Sequence, residues 1–207
     1  RPFRFEQHLA RLAVSAERIG LEPPAAAEIE RLAALALEHA RTPEAVLRLY
    51  WTPGPPGGDH CAIALVSAVP DWIEGARERG LRLVSLLQPR RSAPWLLPAT
   101  KSTSYAVSIA AEAEAKARGA DDAIFVDADG IVLEGPVTNI WWREGDVLLT
   151  PSLEVGILAG ETRAVLFELA AHTGQVVEQG VFPLARLLAA DEAFTSSSIR
   201  ELMPVVA

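Results

Sequence analysis

The 207-residue chain contains little cysteine and little histidine. Its single cysteine, Cys61, excludes an internal disulfide, and its four histidines lie far apart, without the spacing of a zinc site. No hydrophobic run approaches the ~20 residues that a membrane-spanning helix needs. From these absences we expect no metal site, no membrane span and a cytoplasmic location.

The chain also lacks a positively charged stripe. Its formal net charge is −8, and this opposes binding to nucleic acid or to an anionic membrane, because such partners need Lys and Arg to neutralise their phosphates. Half of the residues are hydrophobic and 22% are charged, which is enough to bury a core. We expect a soluble globular protein of one or two domains.

Hydrophobic periodicity predicts a mixed α+β fold. Helical spacing covers 8–19 and 29–40, whereas strands are predicted at 46–51, 62–69 and 81–88. Beyond a proline-rich segment at 89–98, the pattern predicts a helix over 105–118, a hairpin around 128–130, strands at 139–142 and 147–150, and a helix over 162–173. We therefore predict a small α/β lobe, residues 1–92, and a larger strand-rich lobe, residues 93–207.

Three stretches contain residues with a candidate chemical role. WLLPATKSTSY carries Lys101, DADGIVLEGPVTNIWW carries Glu134 and Asn139, and TPSLEVGILAGETRAVL carries Glu161 and Thr162 at an expected helix start. An amine, an inward carboxylate and the N–H groups of a helix start suit the aldehyde, ring nitrogen and phosphate of pyridoxal phosphate (PLP). The structural alternatives are a surface lysine, a solvated strand-end glutamate and an ordinary helix N-cap.

The order of these motifs resembles that of the class IV PLP enzymes. The motifs are Lys-x-x-x-Tyr, E-G-x-x-x-N, L-x-G-x-T-R and a serine-rich loop before proline, and the likeness extends from HLARLAVSA to IRELMPV. This family includes branched-chain aminotransferases, D-amino-acid aminotransferases and aminodeoxychorismate lyases. The resemblance implies a two-lobed α+β fold, a small-molecule amine as substrate and a homodimer. It also implies that strands present at both ends of the relatives are missing from this sequence.

The resemblance also implies roles for individual residues. Lys101 is the catalytic lysine that bonds the cofactor, with a pKa lowered by burial and by the cofactor itself. Arg48 is a candidate ligand of the substrate carboxylate, provided that it faces the cleft together with Val46 and Tyr50; a solvated arginine is the alternative. The implied cofactor-binding residues are Arg11, Lys101, Tyr105, Glu134, Asn139, Leu158, Glu161, Thr162 and Ser198.

Within the family, three sequence features favour aminodeoxychorismate lyase. They are the residues KSTSY, the tryptophans after Asn139 and the LAGETR loop. That enzyme forms 4-aminobenzoate and pyruvate for folate biosynthesis. One alternative is an aminotransferase that acts on branched-chain or D-amino acids with 2-oxoglutarate, and another is a catalytically inactive binding protein with the same fold. Two further possibilities are excluded: the chain has no G-x-S-x-G elbow, and its glycine-rich TPGPPGGD precedes a predicted strand, unlike a phosphate-binding loop.

Overall fold

The computed structural model describes residues 2–40, 44–88 and 99–207. The chain divides into two units. The first holds the described part of residues 1–71 together with Thr100–Thr103, and the second holds the described part of Trp72–Ala99 together with Ser104–Ala207. The predicted boundary near residue 93 lies outside the described residues, so the division into 1–92 and 93–207 stays a prediction. Both units contain helices as well as strands, which confirms the α+β fold class.

The first unit consists of two helices packed on a two-stranded antiparallel sheet. Its elements are α1 (Phe5–Arg18), α2 (Ala26–Glu38), β1 (Ala45–Thr52) and β2 (Cys61–Ala68). Three alternate residues of β1, Leu47, Leu49 and Trp51, pack against apolar residues of the two helices. Since side chains alternate along a strand, the residues between them lie on the opposite face of the sheet.

The second unit contains the rest of the described elements. In chain order these are α3 (Trp72–Arg79), β3 (Leu83–Leu87), α4 (Ala106–Ala117), β4 (Asp122–Val126), β5 (Asn139–Glu144), β6 (Val147–Pro151), α5 (Glu161–Thr173), β7 (Val176–Gly180), α6 (Leu184–Leu188), β8 (Glu192–Ser197) and β9 (Glu201–Val205). A five-stranded sheet has the order β7-β6-β5-β8-β9, and only its β6–β7 pair is parallel. Strands β3 and β4 form a separate parallel pair.

Strand β4 is buried over its whole length and connects two parts of the core. On one side, Ala123 and Phe125 pack against small residues of α4. On the other side, Ile124 and Val126 pack against residues of the five-stranded sheet. A strand covered on both faces has an unbroken apolar sequence, as AIFV does here. Within the described ranges, no helix combines the length and the hydropathy that a membrane crossing requires.

Candidate active site

The Glu134 carboxylate is held by donors from two other parts of the second unit. The backbone N–H of Leu158 donates to its two oxygens at 3.2 and 3.1 Å, and Asn139 Nδ2 donates to Oε2 at 3.3 Å. Asn139 Nδ2 also donates to the carbonyl oxygen of Leu158 at 3.0 Å. The backbone N–H of Leu158 and the side-chain amide of Asn139 thus orient the carboxylate. The structure thus brings together three of the residues that the sequence singled out.

Backbone pairing with β4 and a tight turn determine where Glu134 lies. The N–H of Phe125 donates to the Glu134 carbonyl at 2.8 Å, so Glu134 continues a short pairing with the buried strand. The N–H of Gly135 then donates to the carbonyl of Thr138 at 2.8 Å. A Cβ at Gly135 would collide with Thr138 Oγ1, so the turn requires glycine there. The turn returns the chain directly to Asn139, the first residue of β5.

Gly160 places the start of α5 beside Asn139. Gly160 is the N-cap residue of this helix, and a Cβ added to it would collide with Asn139 Oδ1. Glu161 and Thr162 therefore open a helix whose first turn adjoins Asn139. The first N–H groups of a helix have no partner within it and carry a partial positive charge, which suits an anion such as phosphate.

We expect Gly160→Ala to lower the free energy of unfolding by about 1–3 kcal/mol, because the added methyl group must displace Asn139. Denaturant unfolding of the apo chain measures this change. The matched control is Gly75→Ala in α3, where a Cβ meets no atom within 4 Å. That substitution should be neutral or stabilising by up to ~1 kcal/mol, since alanine favours the helix. Equal behaviour of the two variants would contradict the tight contact.

The serine-rich stretch begins in the sheet beside Asn139, which pairs in register with Ser196. Ser196 is buried, and its Oγ accepts a hydrogen bond from Trp141 Nε1 at 3.0 Å. Ser197 Oγ accepts a hydrogen bond from the backbone N–H of Arg200 at 3.2 Å. Ser198 is exposed in the turn between β8 and β9. Of the three serines, Ser198 therefore presents the hydroxyl that a ligand reaches most easily.

In the first unit, one face of α1 carries Arg11 and contacts the segment that contains Lys101. Arg11 Nη2 donates to His8 Nδ1 at 3.3 Å, and the backbone N–H of Lys101 donates to the buried Ser15 Oγ at 3.2 Å. Because residues three or four apart share a helix face, His8, Arg11 and Ser15 are neighbours there. Lys101 itself is exposed, so the burial that the sequence argument expected is not found.

His8 introduces a pH-dependent contribution to stability. The pKa of His8 is lowered from 6.5 to about 4. Burial is the largest cause, and the positive charges of Arg11 and Arg4 add to it. Between these two values the unfolded chain binds a proton that the folded chain does not. We therefore expect the free energy of unfolding to fall as the pH decreases from about 6.5 to about 4.

Denaturant unfolding across this pH window measures the effect. His8→Gln retains a side-chain oxygen that can accept from Arg11, yet it should remove this part of the pH dependence. The control is His172→Gln, which changes an exposed histidine of α5. If His8→Gln left the pH dependence of unfolding unchanged, the neutral state assigned to His8 would be wrong.

Two further predicted site residues are Tyr105, at the start of α4, and Arg48, in the middle of β1. Tyr105 is half-buried and immediately precedes α4, where its carbonyl accepts from the N–H of Ile109 at 2.9 Å. Arg48 Nη1 donates to Ser67 Oγ at 2.9 Å, on the sheet face turned away from α1 and α2. By strand alternation that face also carries Val46 and Tyr50. The roles of Tyr105 and Arg48 stay predictions.

Sequence reasoning missed Arg163, although it included this arginine in the L-x-G-x-T-R motif. Arg163 is only 5% exposed, and its Nη2 donates to the Pro151 carbonyl at 2.9 Å and to Gln179 Oε1 at 2.8 Å. Burial lowers the pKa of Arg163, and the negative charge of Glu134 opposes that decrease. The available signal was the position of Arg163, a charged residue that falls among the apolar positions of the helix predicted over 162–173.

The fold and these residues define a recognisable family. Residues 1–207 match the family model described as amino-transferase class IV. The chain therefore belongs to the class IV aminotransferases, a family of PLP-dependent enzymes. Within the described parts of the chain, no three His, Cys, Asp or Glu residues form a group that could hold a metal ion.

Several proteins show the extent of this similarity. A bifunctional aminodeoxychorismate lyase / D-amino acid transaminase from Mycobacterium tuberculosis is 36% identical over 185 residues, which is 82% of this chain and 64% of that protein. An aminodeoxychorismate lyase from Bacillus subtilis is 37% identical over 119 residues, 58% of this chain and 41% of that protein. A hypothetical aminotransferase from M. tuberculosis in its PLP-bound form superposes with a TM-score of 0.92 at 33% identity, covering 97% of this chain and 74% of that one. The chain thus spans less than two thirds of the length of both curated relatives.

Proposed function

We propose that this chain binds PLP and acts as an aminodeoxychorismate lyase, which converts 4-amino-4-deoxychorismate to 4-aminobenzoate and pyruvate. The observation that carries the cofactor assignment is the Glu134 carboxylate, oriented by Leu158 and Asn139. The choice of reaction is supported by the two curated relatives described above, whose names both include aminodeoxychorismate lyase.

The residues present fit this cofactor. Glu134 supplies the acid that a pyridine nitrogen needs, with Asn139 and the Leu158 backbone as its supports. The first turn of α5, with Glu161 and Thr162, supplies N–H donors for the phosphate, and the lack of a Cβ at Gly160 keeps that turn close to Asn139. When bound, PLP supplies an electron sink for the substrate carbon that carries the amine.

Two more groups are proposed to bind the phosphate, as the family resemblance implies. The guanidinium of Arg11 suits a dianion because it is always charged and has several N–H donors. The hydroxyl of Ser198 is exposed in its turn and can donate to a phosphate oxygen. Tyr105 is proposed to contact the cofactor ring near its oxygen substituent. These assignments remain part of the proposal.

Lys101 is the proposed catalytic residue. Its amine would hold the cofactor through the aldehyde when no substrate is bound. During turnover the same amine would remove the proton from the amine-bearing carbon of the substrate. Loss of that proton, together with cleavage of the bond between the ring carbon and the enolpyruvyl oxygen, would make the substrate ring aromatic, and Lys101 would return the proton to the departing enolpyruvate, which becomes pyruvate. Glu134 stays in place throughout and maintains the charge of the ring nitrogen.

An aminotransferase is the second candidate, supported by the transaminase half of the bifunctional relative's name. A solved structure with a TM-score of 0.92 is likewise that of a hypothetical aminotransferase from M. tuberculosis bound to α-ketoglutarate and PMP. In that reaction Lys101 would act as a 1,3-proton shuttle, which carries the proton from the α-carbon of the amino donor to the cofactor instead of delivering it to a leaving group. The two reactions therefore differ in their products.

A product assay distinguishes the candidates. The full chain, supplied with PLP and 4-amino-4-deoxychorismate, should release fluorescent 4-aminobenzoate and pyruvate in equal amounts. Parallel reactions with D-alanine or L-leucine and 2-oxoglutarate should yield much less glutamate. Glutamate formation without 4-aminobenzoate would contradict the lyase assignment and support the aminotransferase.

We further propose that the active form is a cytoplasmic homodimer, as the family resemblance implies. The chain has a mass of 22.2 kDa. Light scattering after size exclusion should give about twice this mass, since a symmetric pair is the commonest assembly of soluble enzymes. A monomeric mass at working concentration would contradict the homodimer.

A further inference from the structure

The turn between β8 and β9 is tied to the buried strand β4 by Arg200. Arg200 Nη1 donates to Asp122 Oδ2, the carboxylate of the first residue of β4, and Nη2 lies 3.9 Å from Glu112 Oε1 of α4. The Arg200 side chain is 14% exposed and that of Asp122 only 2%. The Arg200 guanidinium also lies over the Trp72 ring, 5.1 Å from its centroid. The guanidinium is therefore confined by three elements of the second unit.

The backbone of the same turn is held from both sides. The N–H of Arg200 donates to Ser197 Oγ at 3.2 Å, and its carbonyl accepts from Arg77 Nη2 at 3.3 Å. Arg77 also forms an ion pair with Glu201 at 2.8 Å. Glu201 has a φ of 54°, in the left-handed region, which costs a residue with a Cβ roughly 1–2 kcal/mol. A strained conformation of this kind persists only where the surroundings enforce it.

The fixed turn lies next to the start of α5. Asn139 pairs in register with Ser196 and lies against Gly160, the N-cap of α5. The serine-rich end of β8 and the N–H groups of α5 thus adjoin the same residue. A turn that binds an anion through hydroxyl groups binds it more tightly if it is already ordered, because ordering a flexible loop costs entropy on binding.

We infer that Arg200 is a positioning residue whose ion pair with Asp122 holds Ser197 and Ser198 in the conformation that receives the cofactor phosphate. This inference rests on the proposed function, since it assumes that PLP is the ligand. Net stability is a weak explanation for the ion pair, because apolar residues of similar volume often replace a buried pair at no cost. Loss of the pair should therefore affect binding of the phosphate more than binding of the pyridine ring.

The test compares PLP with pyridoxal, which has the same ring and aldehyde but no phosphate. Dissociation constants of both ligands are measured by absorbance titration of the full chain and of Arg200→Met. We expect Arg200→Met to weaken PLP binding roughly tenfold or more, the effect of losing one or two charge-assisted hydrogen bonds. Pyridoxal binding should stay within about twofold, because no bond to its ring depends on the turn. The ratio of the two constants is a measurement that a purely structural role would not change.

Two further variants keep the test decisive. Arg118→Met removes an exposed arginine, the C-cap residue of α4, which pairs with Glu114 at 2.7 Å, and it should leave both dissociation constants unchanged. The double variant Arg200→Met/Asp122→Leu removes the unpaired buried carboxylate, so it should regain thermal stability yet keep the selective loss of PLP binding. Recovery of PLP binding in the double variant, or an equal loss of affinity for both ligands in Arg200→Met, would overturn the positioning role. Either result would leave the proposed function intact. If the unmodified chain bound neither ligand, the proposed function would fall as well.

Discussion

Lys101→Ala is expected to abolish turnover, with a loss of at least about a thousandfold. Proton transfer by a positioned side chain contributes roughly 10²–10⁴ to the rate, and this variant also loses the covalent attachment of the cofactor. The visible absorbance of the lysine-bound cofactor should disappear with it. PLP itself should still bind noncovalently through the phosphate donors and Glu134, so a titration that reports retained binding locates the defect at the amine.

The composition of the chain makes this prediction unusually easy to check. The sequence contains two lysines, Lys101 and Lys116, and Lys116 is exposed near the end of α4. Borohydride reduction of the PLP-treated chain makes the covalent bond permanent, and peptide mass spectrometry should then find the label on Lys101. Lys116→Ala is the matched control and should retain both absorbance and activity. A label on Lys116, or full activity in Lys101→Ala, would disprove the assigned role.

Glu134→Gln is expected to lower turnover by about a hundredfold or more while the chain remains folded. Glutamine cannot hold a positive charge on the ring nitrogen as a carboxylate does, and the loss of one preorganised electrostatic contact typically costs 10²–10³ in rate. The substitution also turns an accepting oxygen into an NH₂ group on one side of the site. Both Asn139 Nδ2 and the Leu158 N–H are donors, so one of the three present contacts must be lost or weakened.

The control for Glu134→Gln is Glu154→Gln, which changes an exposed glutamate of the 3₁₀ turn preceding Leu158. Steady-state kinetics should show a normal rate for Glu154→Gln and a reduced kcat for Glu134→Gln. Absorbance of the PLP-loaded chain provides a second measurement, because the ring's spectrum depends on whether its nitrogen is protonated. If the spectrum and kcat of Glu134→Gln matched those of the unmodified chain, Glu134 would not be the partner of the ring nitrogen.

Local signals in the sequence predicted the elements that carry the second unit's site. The helix expected over 105–118 corresponds to α4, and that expected over 162–173 corresponds to α5, which ends before Gly174 with its φ of 73°. The hairpin around Asp129 also occurs, with Gly130 at a φ of 80°. Glycine relieves the steric cost of these left-handed positions, so a single residue was sufficient to predict each boundary.

Short elements escaped prediction because they depend on partners far away in the sequence. No pattern indicated α3, α6, β7 or β9, which are five to eight residues long. Strand β9 contains Pro204, and proline in a sequence argues against a strand because it has no N–H to donate. It pairs with β8 on one side, and the chain after it bonds to the backbone around Leu81. These partners become neighbours only after the chain has folded.

The sequence by itself determined the fold class, the family and the candidate residues, because these follow from residue order and from spacing along one chain. Only the tertiary structure decided which residues orient Glu134, that Lys101 is exposed, and that Arg163 is buried. Leu158 lies 24 positions from Glu134, and Arg200 lies 78 positions from Asp122. Helical and strand periods describe residues a few positions apart, so contacts over such separations arise from the packing of whole elements.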